Sequence, residues 1–389
     1  MDSPTKSNYS TIIATGLAIF SMFFGAGNVV VPLALGQYAQ DKAFIGIIGL
    51  LITAVGVPLA GVMAMTLFNG NYKDFFARIG KVPGFILALF IMGLIGPFGV
   101  IPRCITLSYS TIKMYTPGIS LPVFSILSCI LIFVFTFKKN RILDLLGYVL
   151  TPLLLLCLGI IIVKGLIVSP SAPIADHSHV TYFVHGLKEG YQTMDLLGAF
   201  FFSGVVLACL RKDDVPATEG NYKQLIKMTL QASCIGAFLL AIIYVGFSYV
   251  ASFYSETLSV YKPDELLGAL AREILGPSAG IIASIAVALA CLTTAIAISS
   301  VFAEFLFKEV FREKVSYIAS LIITLVAGFF ISTLSFTGIM KFLVPILQVC
   351  YPALIVLSIL NIAFKLYKFK PVKRAVAATF ALSLIMYFV

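Results

Sequence analysis

Residues 21–32 read Ser21-Met-Phe-Phe-Gly25-Ala-Gly27-Asn28-Val-Val-Val-Pro32. They lie inside an apolar segment that runs from Ser10 to Tyr38, long enough to cross a bilayer as one helix. Glycine weakens a helix and proline interrupts its hydrogen-bond ladder. A helix broken at mid-membrane leaves backbone N–H and C=O groups without partners, and lipid cannot supply them. Such a break is tolerated only where it lines a protein cavity. There the start of a half-helix favours an anion and the end of one favours a cation. The alternative is a kinked or closely packed span, since small residues are common in membrane helices.

Composition places the whole chain in the membrane class. Sixty per cent of residues are hydrophobic and eleven per cent charged, and the mean hydropathy is +1.04. A soluble domain carries about 25% charged residues. The net charge of +10 would suit nucleic acid, but the lysines and arginines sit in short loops between apolar runs, where they set topology. No nucleic-acid partner is expected; the partner is the lipid bilayer. The seven cysteines are scattered, mostly within apolar runs, with no CxxC or Cys/His ligand spacing. The N-terminal MDSPTKSNYS lacks the basic region and cleavage site of a removable signal peptide.

Eleven apolar segments follow, at about 10–38, 43–68, 83–115, 121–137, 145–168, 189–210, 225–254, 277–307, 315–333, 336–364 and 372–389. Each is near or above the ~20 residues of a spanning helix. The third, eighth and tenth are long enough that they must tilt, break or extend beyond the bilayer. Loop charges alternate. Nineteen lysines and arginines fall at the N-terminus and after even-numbered segments, among them Lys138, Lys139, Arg141, Arg211 and Lys212; five fall on the other side. The positive-inside rule therefore places the N-terminus in the cytoplasm. Ser169–Lys188 reads as the longest outer loop and holds all three histidines, a His-x-His pair included, without further metal ligands. Val260–Gly276 reads as a short amphipathic helix capped at Pro263-Asp264, lying over the outer face.

The sixth segment carries Thr193, Met194, Asp195 and Leu196, then Gly198 and Gly204. A carboxylate inside a span marks function by default; the alternative is that Asp195, about 10 Å in from Lys188 at 1.5 Å per residue, stays hydrated. The glycines suggest a second interrupted helix. Segments one and six each open a set of five, and an odd set makes the second enter from the opposite side. That is an inverted repeat, whose paired broken helices form a midplane site. In the third segment, Gly96-Pro97 precedes Pro102-Arg103. Arg103 lies deep in its apolar run and can either neutralise Asp195 or meet an anionic group of a substrate. In the eighth, Thr293 and Thr294 follow Ala290. Their hydroxyls can bond their own helix or offer hard oxygens to a small cation.

Phe23-Phe-Gly-Ala-Gly-Asn28, Gly96-Pro97 with Pro102-Arg103, Tyr191-Gln-Thr-Met-Asp195, Ala290-Cys-Leu-Thr-Thr294 and Tyr351-Pro352 together resemble the bacterial branched-chain amino acid:cation symporters, the BrnQ-type carriers. The resemblance runs along nearly the whole chain, in the family's order. It implies an all-α integral membrane protein of about 11 transmembrane helices with a leucine-transporter-like fold: two inverted five-helix repeats, with helices 1 and 6 discontinuous. Residues 1–389 then form a single transporter domain, with repeat one at about 10–168, repeat two at about 189–364 and an extra helix at 372–389. The family usually has twelve spans, so either the last helix is absent or the sequence stops short of it.

The resemblance further implies that Gly25, Ala26, Gly27 and Asn28 bind substrate, with Arg103, Thr193, Met194, Asp195 and Leu196 completing the site. A Na⁺ site would draw on Ser21 and Phe24 with Ala290, Thr293 and Thr294. The expected function is uptake of leucine, isoleucine and valine by symport with Na⁺, or alternatively proton-coupled uptake through Asp195, of these or of another small apolar amino acid, in a bacterial plasma membrane, with no cofactor. A membrane enzyme would need a nucleophile–base or metal constellation, and none is visible. A sensor or scaffold would have no use for paired broken helices facing a hydroxyl pair.

Overall fold

The computed structural model describes residues 4–137, 142–210 and 219–388. The loop charges at Lys138, Lys139, Arg141, Arg211 and Lys212 lie outside them. The described residues form helices α1 (Pro4–Phe23), α2 (Ala26–Ala39), α3 (Ala43–Leu51), α4 (Val57–Leu67), α5 (Tyr72–Phe76), α6 (Lys81–Ile95), α7 (Val100–Lys113), α8 (Leu121–Phe137) and α9 (Ile142–Ile167). They continue with α10 (His179–Tyr191), α11 (Asp195–Leu210), α12 (Glu219–Phe253), α13 (Ser255–Leu258), α14 (Leu266–Leu275), α15 (Pro277–Phe305), α16 (Tyr317–Ser332), α17 (Ser335–Tyr367) and α18 (Val372–Phe388). Hydrocarbon offers the backbone no partners, so apolar segments of this length close their hydrogen bonds internally as helices.

All eleven apolar segments fall on helix. Among the described residues, length and composition mark five runs as able to span a membrane and α10 with α11 as a bent sixth. The outer surface carries apolar side chains in rows, such as Leu127, Ile130, Leu131 and Val134 on α8 and Ile322, Ile323, Val326 and Phe330 on α16. Such faces suit lipid rather than water.

The long segments resolve differently. The third breaks between α6 and α7 at Gly96–Gly99, where both glycines leave helical geometry. The eighth and tenth are continuous; α17 keeps Pro345 and Pro352 inside one helix. Prolines are tolerated in membrane helices when neighbouring groups satisfy the freed carbonyls.

Two expectations about the outer side need correction. Residues 179–188 are not loop but the greater part of α10, capped by Ser178, whose Oγ accepts from Thr181 N–H at 3.3 Å. Close backbone packing holds it: a Cβ on Gly186 would lie 2.0 Å from the Gly46 carbonyl oxygen, and one on Gly49 would lie 2.3 Å from that of Phe183. Its polar residues hide a helix whose buried face combines Tyr182 with Gly186 and Gly190. The second correction concerns residues 260–276. The helix there is α14, starting at Leu266, and Asp264 does not cap it. Instead Asp264 turns inward, where it accepts a hydrogen bond from Ser110 Oγ on α7. Burial pushes its carboxyl above the ordinary range, against the lowering effect of that bond. Leu266, Leu267, Leu270 and Ile274 of α14 are buried, so it packs onto the bundle.

Among the described residues two large buried clusters fill the interior, beside a small third of Ala39, Ala43, Ile47 and Tyr182. One joins α1, α2, α9, α12 and α15; the other joins α4, α6, α11 and α17. The breaks between α1 and α2 and between α10 and α11 lie against each other between them, flanked by α7 and α15.

Candidate functional site

The first break is made by two residues. Phe24 N–H still bonds the Phe20 carbonyl at 2.8 Å, closing α1. Gly25 is extended, and α2 restarts at Ala26. Asn28 caps the new helix: its Oδ1 accepts from Gly25 N–H at 3.1 Å, and its own N–H reaches the Gly25 carbonyl at 3.1 Å. The Asn28 amide nitrogen then donates to Asp195 Oδ2 at 2.7 Å and to the Tyr244 hydroxyl, which in turn donates to the same Asp195 oxygen at 3.1 Å. Asn28 therefore ties the two breaks together.

The second break spans Gln192, Thr193 and Met194, and α10 meets α11 at 41°. It lies before Asp195, not at Gly198 or Gly204 as the sequence suggested. Those glycines are inside α11, where Gly198 faces the Phe202 and Phe23 rings. The turn is made by Met194 at φ 64°, a left-handed conformation held without glycine. The Thr193 hydroxyl bonds the Gly190 carbonyl at 3.0 Å, and Leu196 N–H meets the Tyr351 hydroxyl at 3.3 Å. The Tyr351 ring stacks on Tyr191 with centroids 4.8 Å apart. The Leu196 side chain packs toward Gly61 on α4.

Arg103 sits on the first turn of α7, where the Gly96–Gly99 interruption delivers it, and is 1% exposed. Its Nη1 donates to the Gln192 carbonyl at 2.7 Å, bracing the second break, and its guanidinium lies 5.6 Å from the Phe336 ring centre. Nε and Nη2 are buried with no hydrogen-bond partner. Among the described residues no ion pair joins Arg103 to Asp195, so of the two roles open to Arg103 a direct pair with Asp195 is not seen; Asp195 is hydrogen-bonded by neutral donors. Gly27 is the point of closest approach: a Cβ there would lie 3.0 Å from Arg103 Nη2, 3.0 Å from the Gln192 carbonyl oxygen and 3.1 Å from Thr193 Cα.

These groups line a cavity with an empty volume of about 410 Å³. Gly25 to Asn28, Arg103, Thr193, Asp195 and Thr294 give it polar corners, and Phe23, Ile95, Val100, Met194, Phe202 and Ile298 give apolar walls. That mixture suits a small ligand with a charged end and an aliphatic end.

The family of branched-chain amino acid transport proteins matches residues 8–388. The branched-chain amino acid permease BrnQ of Bacillus subtilis is 32% identical over 378 residues, 92% of this chain and 83% of the permease. The chain belongs to the branched-chain amino acid transport family. Members are transporters rather than enzymes. The fold agrees. Mhp1, a nucleobase-cation-symport-1 family transporter solved closed with bromovinylhydantoin bound, superposes with a TM-score of 0.67 at 13% identity, covering 97% of this chain and 90% of Mhp1. Its inward-facing conformation gives 0.66, covering 97% and 89%. The leucine-transporter-like, all-helical fold is thereby established.

In this member of the branched-chain transport family, three of the oxygen-bearing residues expected around a cation come together. Thr294 Oγ1 lies 3.4 Å from the Phe24 carbonyl and 3.1 Å from that of Ala290. Thr293 Oγ1 donates to the Ala290 carbonyl at 2.8 Å and stays on its own helix. Ser21 occupies the last turn of α1. Several site residues were not singled out from sequence. Tyr244 is a lone hydroxyl in an apolar run, and nothing local separates it from an ordinary core tyrosine. Glu189 accepts from Gln192 Nε2 at 2.5 Å and lies 3.7 Å from His185 Nε2; its signal was a carboxylate at the head of the sixth segment.

Proposed function

We propose that this chain imports leucine, isoleucine and valine across a bacterial plasma membrane by symport with Na⁺, through alternating access. The observation that carries the reading is the cavity between the two breaks, apolar on its walls and polar where α2 begins, beside the Phe24–Ala290–Thr294 oxygens. In this reading eleven helices cross the membrane from a cytoplasmic N-terminus, and residues 10–168 and 189–364 form the inverted repeats. The substrate carboxylate meets the first turn of α2, and the branched side chain meets the apolar walls. The cation binds first and holds the end of α1 against α15, which raises substrate affinity; the substrate must raise cation affinity by the same factor.

Coupling to H⁺ is the second reading, because Asp195 lines the same cavity without a cationic partner. Leucine uptake into proteoliposomes separates the two. An inward Na⁺ gradient at equal pH drives accumulation in the first reading. Accumulation driven only by an inward H⁺ gradient supports the second. Failure of all three amino acids to enter under either gradient rejects the transport assignment.

A further inference from the structure

The cavity is lined by two opposite charges that are not in direct contact. Arg103 and Asp195 both line it, both are nearly inaccessible, and no ion pair joins them. An uncompensated charge away from water is costly, and proteins keep one there only when something completes it. The way each group is held indicates what that is. Arg103 spends Nη1 on the Gln192 carbonyl, which leaves Nε and Nη2, the two donors of one guanidinium edge, without partners. Two parallel donors along one edge match the two oxygens of a carboxylate. Gly27 keeps side-chain atoms off that buried edge, since any side chain there would begin 3.0 Å from Nη2. The first turn of the fourteen-residue helix α2 faces the same corner and adds its positive end. On the opposite side, Asp195 takes two neutral donors, Asn28 and Tyr244, on one oxygen. They satisfy hydrogen bonding and leave its charge uncancelled.

We propose that Arg103 and Asp195 form a zwitterion clamp. The substrate's α-carboxylate lies on the Nε–Nη2 edge of Arg103 and its α-ammonium lies toward Asp195, so both charged groups are required for recognition. This rests on the amino-acid reading above and adds to it a specificity rule that the side-chain pocket alone does not impose. An α-keto acid with leucine's side chain leaves Asp195 uncompensated, and the corresponding amine leaves Arg103 uncompensated. The apolar walls accept all three molecules equally well, so the charges alone decide.

The test is competition against labelled leucine uptake by the full chain in proteoliposomes, with 4-methyl-2-oxopentanoate and 3-methylbutylamine as probes. Each should compete at least about 100-fold more weakly than leucine, as expected when a buried polar group is left unpaired. Asp195→Asn should raise the KM for leucine at least about tenfold while the keto acid gains on leucine as a competitor by a similar factor. Arg103→Gln should do the same for the amine, and Arg103→Lys should restore part of the lost affinity as a point charge. Those ratios would not move if the two residues only supported the fold. Wild-type uptake inhibited by either probe within about threefold of leucine overturns the clamp and leaves the transport assignment standing, because a charge that matters is worth far more than that factor. Variants that lose uptake with unchanged ratios also overturn it. No leucine uptake by the wild-type protein overturns both. The wild-type competition needs no variant, so misfolding of a mutant cannot mask the result.

Discussion

The first broken span parts at Phe24–Gly25 and the second at Gln192–Met194, and the two are built on different principles. The first is neutral and capped. Gly25 permits close approach to Thr294, and Asn28 satisfies the opened backbone from within the same helix. The second has no glycine at its turn. It holds Met194 left-handed and relies on groups from elsewhere, with Arg103 on the Gln192 carbonyl and Tyr351 on Leu196 N–H. A break that satisfies itself can act as a fixed reference. A break held by other helices depends on their positions, and the second is braced directly by α7 and α17. Asn28 is where the two are joined.

The largest expected effect comes from forcing the breaks apart. Gly27→Leu places a branched side chain against Arg103 and the Gln192–Thr193 backbone, and should abolish uptake while leaving the amount of protein in the membrane unchanged. Gly27→Ala should weaken uptake by a factor corresponding to about 1–3 kcal/mol of overpacking. Uptake of leucine by the Leu variant at the wild-type rate would mean that the breaks need not meet. Asn28→Asp comes next. It keeps the oxygen that caps Gly25 but replaces the donor facing Asp195 with a second carboxylate. The KM for leucine should rise more than tenfold, because Asn28→Asp adds repulsion to the loss of a bond to a charged group, which alone is worth about 1.5–3 kcal/mol. An Asn28→Asp variant with the wild-type KM beside an impaired Asn28→Ala would show that the cap, not the junction, is what counts.

A smaller effect tests the oxygen cluster at the first break. Thr294 reaches across to the Phe24 carbonyl, whereas Thr293 bonds only its own helix among the contacts described. Thr294→Val should raise the Na⁺ concentration for half-maximal uptake about tenfold, equivalent to about 1.4 kcal/mol. Thr293→Val should shift it less than about threefold, since its hydroxyl bonds a carbonyl that α15 already engages. Substrate affinity should recover at saturating Na⁺ in both. Equal shifts in the two variants would return both hydroxyls to the cation. Uptake that never depended on Na⁺ would remove the cation site and leave Asp195 as the proton carrier.

The fold class was legible because bilayer chemistry leaves few options: an apolar chain of this kind must be helical, and glycine, asparagine and proline inside a span must be explained. Arg103 and Asp195 were legible for the same reason. Their relationship was not. Two opposite charges invite pairing on paper, but the packing of α7 against the Gln192 carbonyl decides where the guanidinium goes, and no local pattern encodes that distance. The second break was misplaced for a related reason. Gly198 and Gly204 looked like hinges, whereas the turn falls on Met194, which adopts a left-handed conformation because neighbouring helices hold it there. The hydroxyl of Tyr244 is invisible because tyrosine in an apolar run ordinarily packs as a core residue, and Tyr351 stands out in the sequence only beside Pro352, with nothing to point its hydroxyl at Leu196 N–H. The helix at 179–188 reads as loop because His179, His185 and Lys188 dilute its apolar residues and glycine makes part of its packing face.

The smallest effect separates a hinge from a packing glycine. Gly204 lies within α11, ten residues beyond Met194, and a Cβ there would meet only the Gly70 carbonyl oxygen, at 3.8 Å. That is ordinary contact, so Gly204→Ala adds no clash and removes the conformational freedom that glycine carries in the unfolded chain. Glycine in a helix interior costs up to about 1 kcal/mol relative to alanine. Gly204→Ala should therefore raise the thermal midpoint of the detergent-purified protein by a few degrees at most and leave the KM and maximal rate of leucine uptake unchanged. If α11 bends at Gly204 during the transport cycle, the same substitution will slow uptake while still stabilising the resting protein. That outcome would move the working hinge of the second broken span from Met194 to Gly204, and with it the element that distinguishes the second break from the first.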